Sequence, residues 1–152
     1  MTHTRIALRA GLALLATVAA ASTAGCGSQD ITRGRVEGAL TPTFVNLYQQ
    51  RAAILGETNV TAASTAASTT CDRGGPKIAD VGPGSDWICM ITFRDDHGQP
   101  QTGKFELQVH ADSTYVAGGP SKLIGLAMLT NKEGKDVPNP VFEFDGAIPA
   151  TR

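Results

Sequence analysis

Reactive side chains are scarce in this sequence of 152 residues, which has three histidines, three cysteines and one tryptophan. His3 falls in a stretch that reads as a removable leader, so His97 and His110 are what remains for metal or proton chemistry. Surplus charge is lacking too: 13 basic residues stand against 14 acidic ones. That near balance gives no footing for a nucleic-acid partner. The apolar stretch at residues 10–24, about 15 long, is short for a membrane-spanning helix, which needs about 20. No internal repeat shows at any period, which argues against a solenoid or propeller.

Motifs for small-molecule chemistry are missing as well. Gly82-Pro83-Gly84-Ser85-Asp86 lacks the serine between glycines that a nucleophile elbow requires, and its glycines and prolines fit a loop. Gly118-Gly119-Pro120-Ser121-Lys122 does not have the spacing of a phosphate-binding loop. Asp95, Asp96 and His97 are consecutive, and neighbours in sequence rarely converge on one ion. They read as a solvated turn. His110 reads as an exposed residue on the polar side of a strand, and Glu143 and Asp145 as solvent-facing acids beside Phe142 and Phe144. No cofactor or catalytic residue is assigned.

What is present begins at the N-terminus. Residues 1–9 carry Arg5 and Arg9 and no acid, and an uncharged run of small and aliphatic residues follows. This is the layout of an export signal; the two arginines are not adjacent, so a twin-arginine route has no support. The run closes on Thr23-Ala24-Gly25-Cys26, small residues suited to a peptidase cleft and then a thiol that can accept lipid. Ala24-Gly25-Cys26 resembles the bacterial lipobox, with Thr23 where that pattern usually has an aliphatic residue. The resemblance implies cleavage before Cys26 and a lipid anchor on it. An ordinary signal peptide cut at Ala24 or Gly25 and an uncleaved anchor helix are the alternatives.

Residues 1–25 are thus expected to be a lipoprotein signal peptide, 26–31 the lipidated cysteine with a short tether, and 32–152 a single domain. With Cys26 lipidated, Cys71 and Cys89 are left, and in an oxidising envelope such a pair reads as a disulfide. Zinc is the rival reading, with two ligands and no nearby histidine pair to complete the site. Arg33 and Arg35 lie within ten residues of Cys26, where anionic head groups attract each basic residue by about 1 kcal/mol. The alternative is a solvated helix face.

The domain itself divides in two. Thr32 can cap a helix, and Val36, Leu40, Phe44, Leu47, Tyr48 and Leu55 recur at helical spacing. Pro42 predicts either two consecutive helices, the second capped by Thr41, or one kinked helix. Gly56 should end it. Residues 57–70 read as loop leading into a short strand at Cys71, and 72–85 as loop. Trp87, Cys89, Ile91 and Phe93 alternate in one strand; Phe105, Leu107, Val109 and Ala111 alternate with Lys104, Glu106, Gln108 and His110 in the next. Tyr115-Val116-Ala117 and Val141 to Phe144 are further strands, and 123–129 is ambiguous. The expected fold is α+β, an amphipathic helix packed on an antiparallel meander of four to six strands with one disulfide. An all-β sandwich is the alternative.

Ala24-Gly25-Cys26, the Cys71 and Cys89 pair around Trp87, and the closing segment from Asn139 to Gly146 together look like the small actinobacterial cell-envelope lipoproteins of uncharacterised function. The resemblance implies a membrane-anchored protein on the extracytoplasmic face, with no stated substrate. The expected role is a non-enzymatic module binding an envelope protein or small ligand. A small hydrolase or metal-dependent enzyme whose residues converge only in the fold is the alternative.

Overall fold

The computed structural model describes residues 31–150. Its first element, α1 (Arg33–Leu55), is one continuous helix of 23 residues with Pro42 inside it. Of the two expectations, a single helix through Pro42 is the one found, because the surroundings of Pro42 accommodate it. The carbonyl that a proline ring would crowd, four residues back, belongs to Gly38, which is exposed and has no side chain. Thr41 and Thr43 turn their hydroxyls to the carbonyls of Glu37 (2.9 Å) and Ala39 (3.0 Å), so the sequence that resembled a second cap is folded into the helix. Thr32 occupies the N-cap position but its side chain makes no cap bond.

The far end matches the sequence reading. Gly56 adopts φ 89°, its amide donates to Ala53, and the Glu57 amide donates to Ala52 at 2.8 Å. This left-handed closure is open to glycine and costly for a residue with a Cβ. Gly56→Ala is expected to lower stability by about 1 kcal/mol in urea melts, because of its backbone angle. The nearby Lys132 tail is flexible and can move away from a new methyl.

Strands β1 (Ser68–Asp72), β2 (Gly84–Arg94), β3 (Pro100–Val109) and β4 (Thr114–Gly118) form an antiparallel meander. After an excursion through a short helix α3 (Ser121–Ile124) and a two-stranded hairpin of β5 (Met128–Thr130) and β6 (Asp136–Pro138), the chain returns as β7 (Glu143–Ala147) beside β4. The short helix α2 (Ala62–Thr65) precedes β1, with a Thr61–Ser64 capping box. The fold is α+β, not a sandwich. Trp87, Cys89, Ile91, Phe93, Phe105, Leu107 and Val109 are all buried, whereas Lys104, Glu106 and Gln108 face water. Phe44 and Tyr48 lay their rings on Phe93, each 5.0 Å between centroids, and Leu47 packs at the edge of the same core.

Several boundaries differ from the sequence reading. The last strand starts at Glu143, two residues later than expected, and Val141 is buried ahead of it in a turn. It also runs through Gly146, which the Tyr115 ring covers; a Cβ there would lie 2.5 Å from the ring. Ala111 falls outside β3 and is exposed, and His110 is half-buried at the turn after that strand. Residues 57–70 hold α2 and most of β1. Ile31, assigned to the tether, is fully buried, because its carbonyl accepts the Gly82 amide at 2.8 Å and its side chain joins the core.

The edge strand β1 is held by α1. Glu37 accepts the outward-pointing Cys71 amide at 2.8 Å, and Thr41 meets Thr69 hydroxyl to hydroxyl at 2.8 Å. Two residues one helical turn apart thereby cover backbone that would otherwise be open to another chain.

Candidate functional site

One place where titratable side chains from different elements converge beside a cleft is the turn between β2 and β3. Asp95 builds this turn: one carboxylate oxygen accepts the amides of His97 (3.0 Å) and Gln99 (2.8 Å), the other accepts Gln101 Nε2 (2.8 Å). Partial burial pulls Asp95 up, but these hydrogen bonds outweigh it and hold its carboxyl below the usual value. Asp95 is therefore fully engaged. The segment after α1 crosses over the turn, and Asn59 Nδ2 donates to the Asp96 carbonyl at 3.1 Å. Together they enclose a cleft of about 280 Å³ lined by Asn59, Val60, Ser64, Asp95, Asp96, His97 and Gly98.

Glu57 lies against the Asp96 carboxyl of this turn but does not itself line the cleft. One of its carboxylate oxygens is sealed from water with no hydrogen-bond partner. Burial, then contact with the Asp96 carboxyl, pushes Glu57 above its ordinary value, and Arg51 and His97 pull the other way without cancelling it. A like charge at close range disfavours the ionised form of Glu57. The His97 imidazole, largely exposed, lies 3.6 Å from Asp96. Arg51 is committed elsewhere, donating to the Ile124 carbonyl at 3.1 Å and lying over the Tyr48 ring. Burial raises that tyrosine's hydroxyl to about 12.

The Glu57 and Asp96 contact carries a definite pH dependence. A carboxyl whose folded value is raised contributes stability below its unfolded value and loses it as pH rises through the folded value. Glu57→Gln removes the repulsion, so it should raise the melting temperature at neutral pH. The gain should vanish as the pH falls below about 4, and it stays under about 1 kcal/mol because the pair is partly hydrated. Thermal melts of both proteins from pH 4 to 8 check this; a gain that grows toward acid would contradict it.

Among the described residues no three His, Cys, Asp or Glu side chains are placed to hold a metal ion. A second, larger hollow of about 370 Å³ lies between the end of α1 and the β5–β6 hairpin, bounded by Ala53, Ile54, Val137 and Pro138 with Lys132 and Glu133 at its edge. Its walls are mostly apolar, with those two charged residues only at the rim.

The residues singled out from sequence are spread across the molecule. Cys26 and the segment 10–24, expected to be a helix making few contacts, lie outside the described residues. Arg33 pairs with Glu37 at 3.0 Å and Asp80 at 3.5 Å, and Arg35 donates to the Pro149 carbonyl. Cys71 and Cys89 are joined in a disulfide with Cα atoms 4.0 Å apart. Glu143 and Asp145 face solvent on β7. His110 is far in sequence from His97 and does not line its cleft.

Sequence reasoning missed three residues that matter to this geometry. Glu57 carried no mark beyond its place after a helix. Asn139, between two prolines, is buried and donates to the carbonyls of Ile124 and Leu126, both at 2.9 Å, while its own oxygen accepts the Val141 amide. It fixes α3 against the start of β7. Arg73 holds Asp86 from two nitrogens, at 3.0 and 2.8 Å, beneath the loop that follows β1. Comparison with known proteins finds no matching family, no similar curated protein and no similar solved structure.

Proposed function

We propose that this chain is a lipid-anchored protein of the bacterial cell envelope, facing away from the cytoplasm, whose domain is a non-enzymatic binding module. The observation that carries the anchor is Ala24-Gly25-Cys26 at the end of an uncharged run behind Arg5 and Arg9. The Cys71–Cys89 disulfide supports an oxidising compartment. No helix among the described residues is long and apolar enough to cross a membrane.

For the module, the support is the bare face of the sheet. Helix α1 covers one side, and on the other Met90 and Val116 stand exposed among Lys104, Glu106 and Gln108. A rigid surface of mixed polarity can bind a protein partner. The enzyme reading rests on a different observation, a cleft lined by Asp96 and His97 with the Glu57 carboxyl against Asp96 behind it. A carboxyl held above its ordinary value close to an imidazole is raw material for acid–base hydrolysis.

The anchor is tested by metabolic labelling with palmitate, which should mark the wild-type protein and leave Cys26→Ala unmarked and shed from the membrane. Label persisting in that variant would end the lipoprotein assignment. Crosslinking in intact cells, with mass spectrometry of captured partners, separates the two roles. A partner bound through Met90 and Val116 supports the module; a hydrolytic activity abolished by Glu57→Gln supports the enzyme.

A further inference from the structure

The domain is closed beside residue 31 by the loop that follows β1, and that loop is tied down on two sides. From below, Arg73 grips Asp86 and the Val81 carbonyl, its guanidinium lies 5.8 Å from the centre of the Trp87 ring, and Trp87 Nε1 donates to the Gly82 carbonyl at 3.1 Å. From the side, Thr32 bridges Val81, the Gly82 amide donates to Ile31 at 2.8 Å, and the Arg33 amide donates to Asp80 at 3.0 Å. Despite these ties, Ile78 is left 48% exposed and Val81 47% exposed. Lys77 beside them is exposed as well. Two branched aliphatic side chains held out by a fastened loop are not explained by the core.

Their position suggests what meets them. From Cys26 to Ile31 is five residue steps, and an extended chain spans at most about 3.6 Å per step, or about 18 Å in all. A lipid on Cys26 therefore confines Ile31, and with it the loop hydrogen-bonded to Ile31, to the immediate neighbourhood of the bilayer. The basic residues alone do not supply the contact, because Arg33 is already balanced by Glu37 and Asp80. What the loop offers is apolar side chains with one lysine, its Asp80 carboxyl being turned to Arg33 and the Arg73 amide, a composition that settles at the boundary between head groups and acyl chains.

We propose that residues 77–81 are a membrane-seating loop: Ile78 and Val81 enter the interfacial layer of the bilayer, Lys77 meets lipid phosphates, and the domain is thereby held at a fixed tilt. This rests on the lipid-anchor reading. It orients the molecule with the start of α1 toward the membrane and the α1 end near Leu126 away from it. In this orientation Leu126, 72% exposed and adjacent to the Arg51 contact at Ile124, marks the far end.

The full lipidated protein permits a direct test. With Cys26 acylated and Cys71 bonded to Cys89, a cysteine introduced by Ile78→Cys, Val81→Cys or Leu126→Cys is the sole free thiol. Each variant is labelled with an environment-sensitive fluorophore and reconstituted into vesicles of phosphatidylethanolamine and phosphatidylglycerol. Labels at 78 and 81 should shift to the blue and be quenched several-fold more strongly by shallow lipid-borne quenchers than the label at 126. Equal exposure at all three sites, with mass spectrometry finding lipid on Cys26, overturns the seating loop and leaves the anchor standing. Protection in native membranes but not in vesicles assigns the patch to a protein and overturns it too. Absence of lipid on Cys26 overturns the anchor reading and the proposal together.

Discussion

Phe44→Ala should cost about 3–5 kcal/mol, enough to unfold much of the population of a domain of ordinary stability. The ring is fully buried and is the point at which α1 enters the sheet. Its centroid lies 5.0 Å from Phe93 on β2, 5.5 Å from Phe105 on β3 and 5.6 Å from Tyr48 one helical turn away. These neighbours are fixed by three separate elements, so they cannot close over the space left by the ring. Cavity formation is then added to the lost transfer energy. Phe44→Leu keeps most of the volume and should lose less than half as much. Urea denaturation followed by circular dichroism reads both. A loss below about 1 kcal/mol for the alanine variant would mean that α1 is not part of the cooperative unit.

The helix was legible because Val36, Leu40, Phe44, Leu47 and Tyr48 recur at spacings of three and four, which a helix gathers on one side and a strand would split between its two faces. Strand β3 was legible because five polar and apolar residues alternate without exception from Lys104 to Gln108. Where a residue is buried for a reason outside its own segment, the pattern misleads. Val141 is apolar but serves a turn held by Asn139. Gly146 looks like a strand breaker, yet its missing side chain is what admits Tyr115.

The cleft was legible in half. The run Asp95-Asp96-His97 marked a turn, and the structure makes it one, with Asp95 spent on holding the backbone. Its partner Glu57 was invisible because it comes from the end of α1, nearly forty residues earlier, and no local period records such a meeting. The same holds for Arg73, which reaches Asp86 and Trp87 across the loop between β1 and β2. Glycines and prolines identified that segment as loop. They could not show that it is fastened, or that Ile78 and Val81 remain outside it.

Removing the disulfide with Cys71→Ala and Cys89→Ala together should cost about 3 kcal/mol, the chain entropy released when a loop of this length opens. The two residues face each other directly in the β1–β2 ladder, at 1% and 0% exposure. Cys71 is the one fully buried residue of β1, whose other members, Ser68, Thr69, Thr70 and Asp72, are small or polar. Such a strand carries almost no hydrophobic instruction about register, and a slip by one residue would turn Cys71 outward. The bridge supplies what the side chains do not, with Glu37 and Thr41 adding two hydrogen bonds from the helix. Beyond the global loss, the variant should therefore show faster hydrogen exchange in β1 than in β3, where alternation alone fixes the pairing. Serine in place of alanine should be worse, because it buries two hydroxyls in an apolar site. A thiol count offers an independent check: the unfolded, unreduced chain should release at most the Cys26 thiol, and reduction should add two. If reduction adds none, or if the alanine pair unfolds at the wild-type midpoint, the bridge does not secure the edge of this sheet.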